Sequence, residues 1–141
     1  PVLEDAGVFK VDDLNKDFRN LVICDDYPIL TKQQADIQGR FFTQCRHQNC
    51  SIIVINQMYF RSPRPVRLNL SYVVLFNNKN KKEISLLATE QGSDLSKGEF
   101  QKLYNSILKN KYDFFLIDNE TNDENLRYRK NFDGIYTRNL I

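Results

Sequence analysis

The apolar positions of this chain come in short blocks, and the blocks alternate between two periods. Leu21–Cys24 (LVIC), Ser51–Ile55 (SIIVI), Tyr72–Phe76 (YVVLF) and Asp113–Ile117 (DFFLI) are compact apolar runs rich in β-branched and aromatic residues. Runs of this length predict strands, and an unbroken run such as LVIC predicts a strand buried on both faces. Between the runs, apolar residues recur at helical spacing. Ile37, Phe41 and Cys45 lie four apart within Thr31–Cys45 and predict one buried helix face, weakened slightly by Gly39. Glu83–Glu90 predicts a short helix after a polar turn at Asn77–Lys82. Ser96 and Glu99 form a capping box ahead of Phe100, Leu103, Tyr104, Ile107 and Leu108, which predicts a helix with those five residues in the core.

The remaining stretches are polar. Residues 1–20 predict an irregular or short helical lead-in, and the two prolines of RSPRP (61–65) predict a loop. Asp118–Glu124 is acidic and Asn-rich, and residues 119–141 predict a polar tail in which Arg127, Arg129 and Lys130 are solvated. Strands alternating with helices over 141 residues predict one α/β domain, residues 1–141, built on a mostly parallel sheet with flanking helices. Ligands of such sheets bind beyond the carboxyl ends of the strands, where Asp25, Asp26 and Gln57 fall.

Composition narrows the classes only a little. Hydrophobic residues at 41% and charged residues at 27% are ordinary for a soluble globular protein. The net charge of +2 makes no general case for nucleic-acid binding. A local one is left at Arg61, Arg64 and Arg67, which would track DNA phosphates while Tyr59 and Phe60 stack on bases; the plainer alternative is a solvated loop over packed aromatics. No apolar run is long enough for a transmembrane helix, and the opening Pro-Val-Leu-Glu-Asp has no signal-peptide pattern. The missing initiating Met predicts a fragment or a processed product. Cys24, Cys45 and Cys50 predict free thiols in an intracellular, reducing compartment. Cys45, His47 and Cys50 hold three potential zinc ligands within CRHQNC, but a structural site needs four, so buried thiols are expected instead.

Two segments concentrate chemistry. LVICDD (21–26) ends an apolar strand on two adjacent carboxylates, whose mutual repulsion makes sense if a cation sits beside them. This matches the Walker B pattern, in which Asp25 would hold Mg²⁺, directly or through water, and Asp26 would polarise the attacking water; the plainer alternative is a strand that ends in an acidic turn. CRHQNCSIIVINQ (45–57) ends a second strand on Gln57, whose amide would lie beside the aspartates if the strands are neighbours. Arg46, at the preceding helix end, is placed to offer a guanidinium to a neighbouring subunit's phosphate.

LVICDD, TQCRHQNCSIIVINQ and YFRSPRPVRLNLSYVVLF together resemble the FtsK–HerA division of P-loop ATPases. The resemblance is strongest to viral genome-packaging ATPases of the poxvirus, giant-virus or virophage type. It spans about residues 21–76, with looser similarity through the helix and strand of 96–117. It implies a partial P-loop NTPase domain, and a homo-oligomeric ring that uses ATP and Mg²⁺ to drive double-stranded DNA into a capsid at a portal-like vertex. The implied location is the virus factory or the virion. On the same resemblance Asp25 and Asp26 match Walker B, Gln57 the polar sensor and Arg46 an arginine finger, while Arg67 matches an arginine after the proline loop that contacts the nucleotide.

The pattern departs from the family in one place. No G-x-x-x-x-G-K-[ST] string exists here, and EQGSDLSKGEF (90–100) has the wrong spacing. Without those backbone amides and that lysine the triphosphate has no cradle. The chain is therefore expected to be the carboxyl-terminal part of such an ATPase, inactive alone. Two alternatives stand beside this. One is a degenerate P-loop-like domain acting as a non-catalytic interaction module; the other is a carboxylate–metal nuclease using Asp25, Asp26 and Asp118.

Overall fold

The computed structural model describes residues 14–25, 32–93 and 95–135, which fall into two compact units divided between Asn69 and Leu70. The lead-in before Leu14, Asp26, and the side chain of Ile37 lie outside the described residues.

In the first unit, β1 (Asn20–Asp25) pairs in parallel with β2 (Cys50–Ile55), with Asn20 opposite Cys50 and Asp25 opposite Ile55. Parallel strands need a crossover, supplied here by α1 (Lys32–Gln44) and a 3₁₀ turn at Cys45–Gln48. Asn49 takes the left-handed conformation (φ 49°, ψ 39°) that Asn tolerates better than most residues. It turns the chain into β2, and its carbonyl accepts the Asn20 N–H at 2.8 Å. Val22, Phe41, Cys45 and Cys50 form the buried core, with Leu14, Cys24 and Ile52 packed on it.

The opposite sheet face carries Leu21, Ile23, Ile53 and Ile55, each 47–58% exposed. Burial on both faces, expected from LVIC, is thus not met. The pleat sends alternate residues to opposite sides, and only the α1 side is covered among the described residues.

The proline stretch is more ordered than a plain loop. A 3₁₀ turn at Tyr59–Arg61 leads into α2 (Arg64–Arg67), where Pro63 and Pro65 suit the start of a helix because the first N–H groups there have no partner to lose. Val66 is 2% exposed, and a Cβ on Gly39 would stand 3.4 Å from the Pro65 Cβ, so α1 seats this segment closely.

The second unit is antiparallel. Its sheet runs β3 (Tyr72–Leu75), β4 (Phe115–Asp118), β5 (Tyr128–Lys130) and β6 (Gly134–Ile135), in that order. The expectation of a mostly parallel sheet therefore holds for β1 and β2 and is corrected here. β4 returns beside β3 in the opposite sense after two successive helices, and residues 119–135 fold back on β4. One sheet face is covered by α3 (Lys81–Gln91) and α4 (Lys97–Ile107). Phe100, Leu103, Tyr104, Ile107, Phe115 and Ile117 are at most 2% exposed. The Ser96–Glu99 capping box forms as expected, with Ser96 N–H donating to Glu99 at 2.8 Å and Glu99 N–H to Ser96 Oγ at 3.3 Å.

Arg129 and Lys130, expected to be solvated, are instead tied down in the described part of the tail. Arg129 pairs with Asp118 at 2.5 Å, and Lys130 with Asp113 at 2.8 Å. Tyr128 is buried and donates its hydroxyl to the Gly92 carbonyl at 2.9 Å. No described helix is long and apolar enough to cross a membrane.

Candidate functional site

The parallel register of the first unit decides which sequence-predicted residues meet. Asp25 is the last residue of β1 and stands opposite Ile55, the last of β2. Gln57 follows two residues later, so carboxylate and amide lie at the same carboxyl edge of the strand pair. Asp25 is exposed, and its carboxylate makes no hydrogen bond or ion pair among the described residues. Asp26 falls outside the described residues. Such an edge is where sheets of this kind take ligands, and an exposed carboxylate there is of the type that suits a hard cation.

Arg46 belongs to a different edge. It lies in the 3₁₀ turn that precedes β2, and the six residues of that strand separate it from the carboxyl end by roughly 16 Å. No rotamer brings its guanidinium to Asp25 of the same chain. It is exposed.

Arg67 is committed to its own loop. Its guanidinium donates to the carbonyls of Ser62 at 3.0 Å and Phe60 at 3.2 Å and stands 5.4 Å from the Tyr59 ring centroid. Ser62, 9% exposed, accepts the Asn56 amide at 2.6 Å, and the Asn69 amide caps the Pro65 carbonyl at 2.7 Å. Sequence reading missed this polar brace around α2. Its signal was the pair of asparagines flanking an arginine-bearing proline loop.

Burial bears on two of the metal readings. It raises the Cys24, Cys45 and Cys50 thiols above their ordinary pKa. His47 is exposed while Cys45 and Cys50 face the core, and no cluster of three potential metal ligands exists among the described residues. Asp118, the third carboxylate of the nuclease alternative, is 6% exposed and saturated. It accepts the Glu120 and Thr121 N–H groups at 3.0 and 3.1 Å as well as Arg129. Asp118 is a structural carboxylate.

Residues 5–129 match the family model described as Poxvirus A32 protein. No curated protein matches the chain. Among solved structures, the genome packaging NTPase B204 of Sulfolobus turreted icosahedral virus 2 in complex with AMP matches with a TM-score of 0.50 and 14% identity. The match covers 71% of this chain and 48% of that one. The same protein in complex with ATP-gammaS matches with a TM-score of 0.50 and 17% identity, covering 71% and 47%. At these identities the likeness is one of fold: a mixed α/β architecture with a parallel sheet and helices. The chain spans about half the length of these structures.

Proposed function

Because this chain belongs to the poxvirus A32 protein family, we propose that it forms the Walker B portion of a viral genome-packaging NTPase, a partial P-loop domain completed by a P-loop segment that these residues do not contain. The observation that carries this reading is the β1–β2 pair. Two parallel strands end together on Asp25 and, two residues past β2, Gln57, and they leave four aliphatic side chains bare on one face. Parallel sheets are ordinarily covered on both faces, and two strands alone are marginal in water. A further layer of the same nucleotide-binding domain would cover that face.

The residues present fit part of the ligand. Asp25 suits Mg²⁺, which keeps several waters and takes one or two carboxylates beside the phosphates. The triphosphate itself finds no cradle. The glycine stretch 90–100 starts inside α3 and places Gly98 within α4, so it offers no strand–loop–helix turn. Hydrolysis is not expected of this chain alone. In the completed protein, bound ATP and Mg²⁺ supply the phosphoryl group and the charge that stabilises its transfer. Asp25 would hold Mg²⁺, directly or through water, Asp26 would polarise the attacking water, and Gln57 would orient it. Arg46, remote from its own site, serves the site of the next copy in a homo-oligomeric ring. Arg67 braces its loop, and a direct nucleotide contact would require it to release two carbonyls. Double-stranded DNA is the substrate moved, a capsid or portal-like vertex is the docking partner, and the virus factory or virion is the location.

The absent cradle also favours a second reading, a non-catalytic interaction module. Asp26→Asn in the P-loop-bearing protein separates the two. Retained nucleotide binding with turnover lost supports the motor, and unchanged turnover removes Asp26 from the reaction. Arg46→Ala subunits should be rescued in mixed rings; a defect confined to each mutant subunit's own site rules out action across the boundary.

A further inference from the structure

The arginine loop of the first unit is built like a ligand surface. From Ile37 to Asn69 the first unit carries five arginines and no Asp or Glu, so the small overall charge conceals a strongly cationic stretch. Three of the five lie within seven residues, and the structure gives them different work. Arg67 is the brace, bound to two carbonyls and the Tyr59 ring. Arg61 and Arg64 are exposed, and neither guanidinium makes an ion pair or hydrogen bond among the described residues. Beside them Phe60 and Leu68 are 52% and 51% exposed. A solvated loop has no need of such a frame: buried Val66, the Pro65–Gly39 seat, the Asn69 amide on the Pro65 carbonyl and the Asn56 amide on the Ser62 hydroxyl all hold it. Two arginines with no partner among the described residues sit on a braced segment without Asp or Glu, whose backbone has little entropy left to lose on meeting phosphates.

We propose that Tyr59–Leu68 is a contact surface for the phosphate backbone of double-stranded DNA, with Arg61 and Arg64 as the phosphate ligands and Arg67 as the positioning residue. The choice of duplex DNA as the polyanion rests on the packaging reading; the cationic, braced geometry does not. The loop begins two residues after Gln57, which itself follows β2 by two residues.

The test is fluorescence anisotropy with a labelled duplex of mixed sequence, without nucleotide, over a salt series. Each phosphate contact contributes about 0.9 to the slope of log affinity against log salt, so R61A/R64A should lower that slope by about 2 and weaken binding at least about tenfold at low salt. R61K/R64K, which keeps the charges, should stay near wild type. K97A/K102A, which removes two exposed charges from α4, should change neither slope nor affinity. Circular dichroism checks that each variant is folded. If wild type fails to bind duplex, if R61A/R64A keeps the wild-type slope, or if K97A/K102A loses as much, the proposal is overturned. Because no nucleotide is present, DNA binding through these arginines in a protein that never completes a nucleotide site would sink the motor reading alone.

Discussion

Asp118→Ala tests whether the carboxylate closing β4 is a structural group. The side chain satisfies three donors at once: the Glu120 and Thr121 N–H groups and the Arg129 guanidinium at 2.5 Å. Removing one partner of a largely buried ion pair costs about 3–5 kcal/mol. The lower end applies, because the Arg129 side chain is 26% exposed and its Nε keeps the Leu126 carbonyl at 2.8 Å. About 3 kcal/mol is a large share of the 5–15 kcal/mol typical of a whole domain. With an m-value of about 1–3 kcal/mol/M, the urea midpoint should fall by about 1–3 M. The two units need not melt together, so circular dichroism should be paired with hydrogen exchange at the β4 and β5 amides, where protection should drop first. Arg129→Ala should cost less, and a double-mutant cycle should return a coupling of at least about 1 kcal/mol. A loss below about 0.5 kcal/mol, or stability that depends on added Mg²⁺, would refute the reasoning and return Asp118 to the candidate metal ligands.

Two further outcomes are expected. The Lys130 ammonium, then the Asn110 N–H, hold the Asp113 carboxyl below its ordinary pKa. The stabilisation is therefore present above the ordinary carboxylate pKa of about 4 and is lost as pH falls through the lower folded value. Asp113→Asn should flatten that acid limb in a pH series of urea melts, and an unchanged limb would contradict the pairing. Ile53→Lys, on the bare face of β2, should leave the melting of this chain nearly unchanged, because the side chain is already 47% exposed. The same change should abolish co-purification with a P-loop segment; equal recovery of both proteins would show that this face is not the one covered.

How much of this was legible in the sequence depends on whether the signal was local. The capping box of Ser96 and Glu99 is complete within four residues, and α4 begins where it says. β1 and β2 fall within a residue of their apolar runs, because β-branched residues in short blocks have little else to form. β5 and β6 were hidden, since Tyr128–Lys130 and Gly134–Ile135 carry no apolar run and exist through pairing, β5 on β4 and β6 on β5. The sense of β4 against β3 was hidden for the same reason: strand direction is a tertiary choice that DFFLI does not encode. At the candidate site, the strand-end placement of Asp25 and Gln57 was readable from pattern. The remoteness of Arg46 and the bracing role of Arg67 were not, because each follows from where a turn sits in three dimensions.

If this chain supplies the Walker B edge of a nucleotide site whose phosphate cradle lies on another segment, nucleotide binding should require both. The most direct measurement is binding of a fluorescent ATP analogue with Mg²⁺ to the chain alone, and again after adding a separately produced P-loop segment of the same family. The account predicts no binding by the chain alone and saturable binding by the mixture, beyond that of the added segment by itself. Binding absent from the mixture, or unchanged from the segment alone, would contradict it and leave the bare β1–β2 face to a partner that carries no nucleotide.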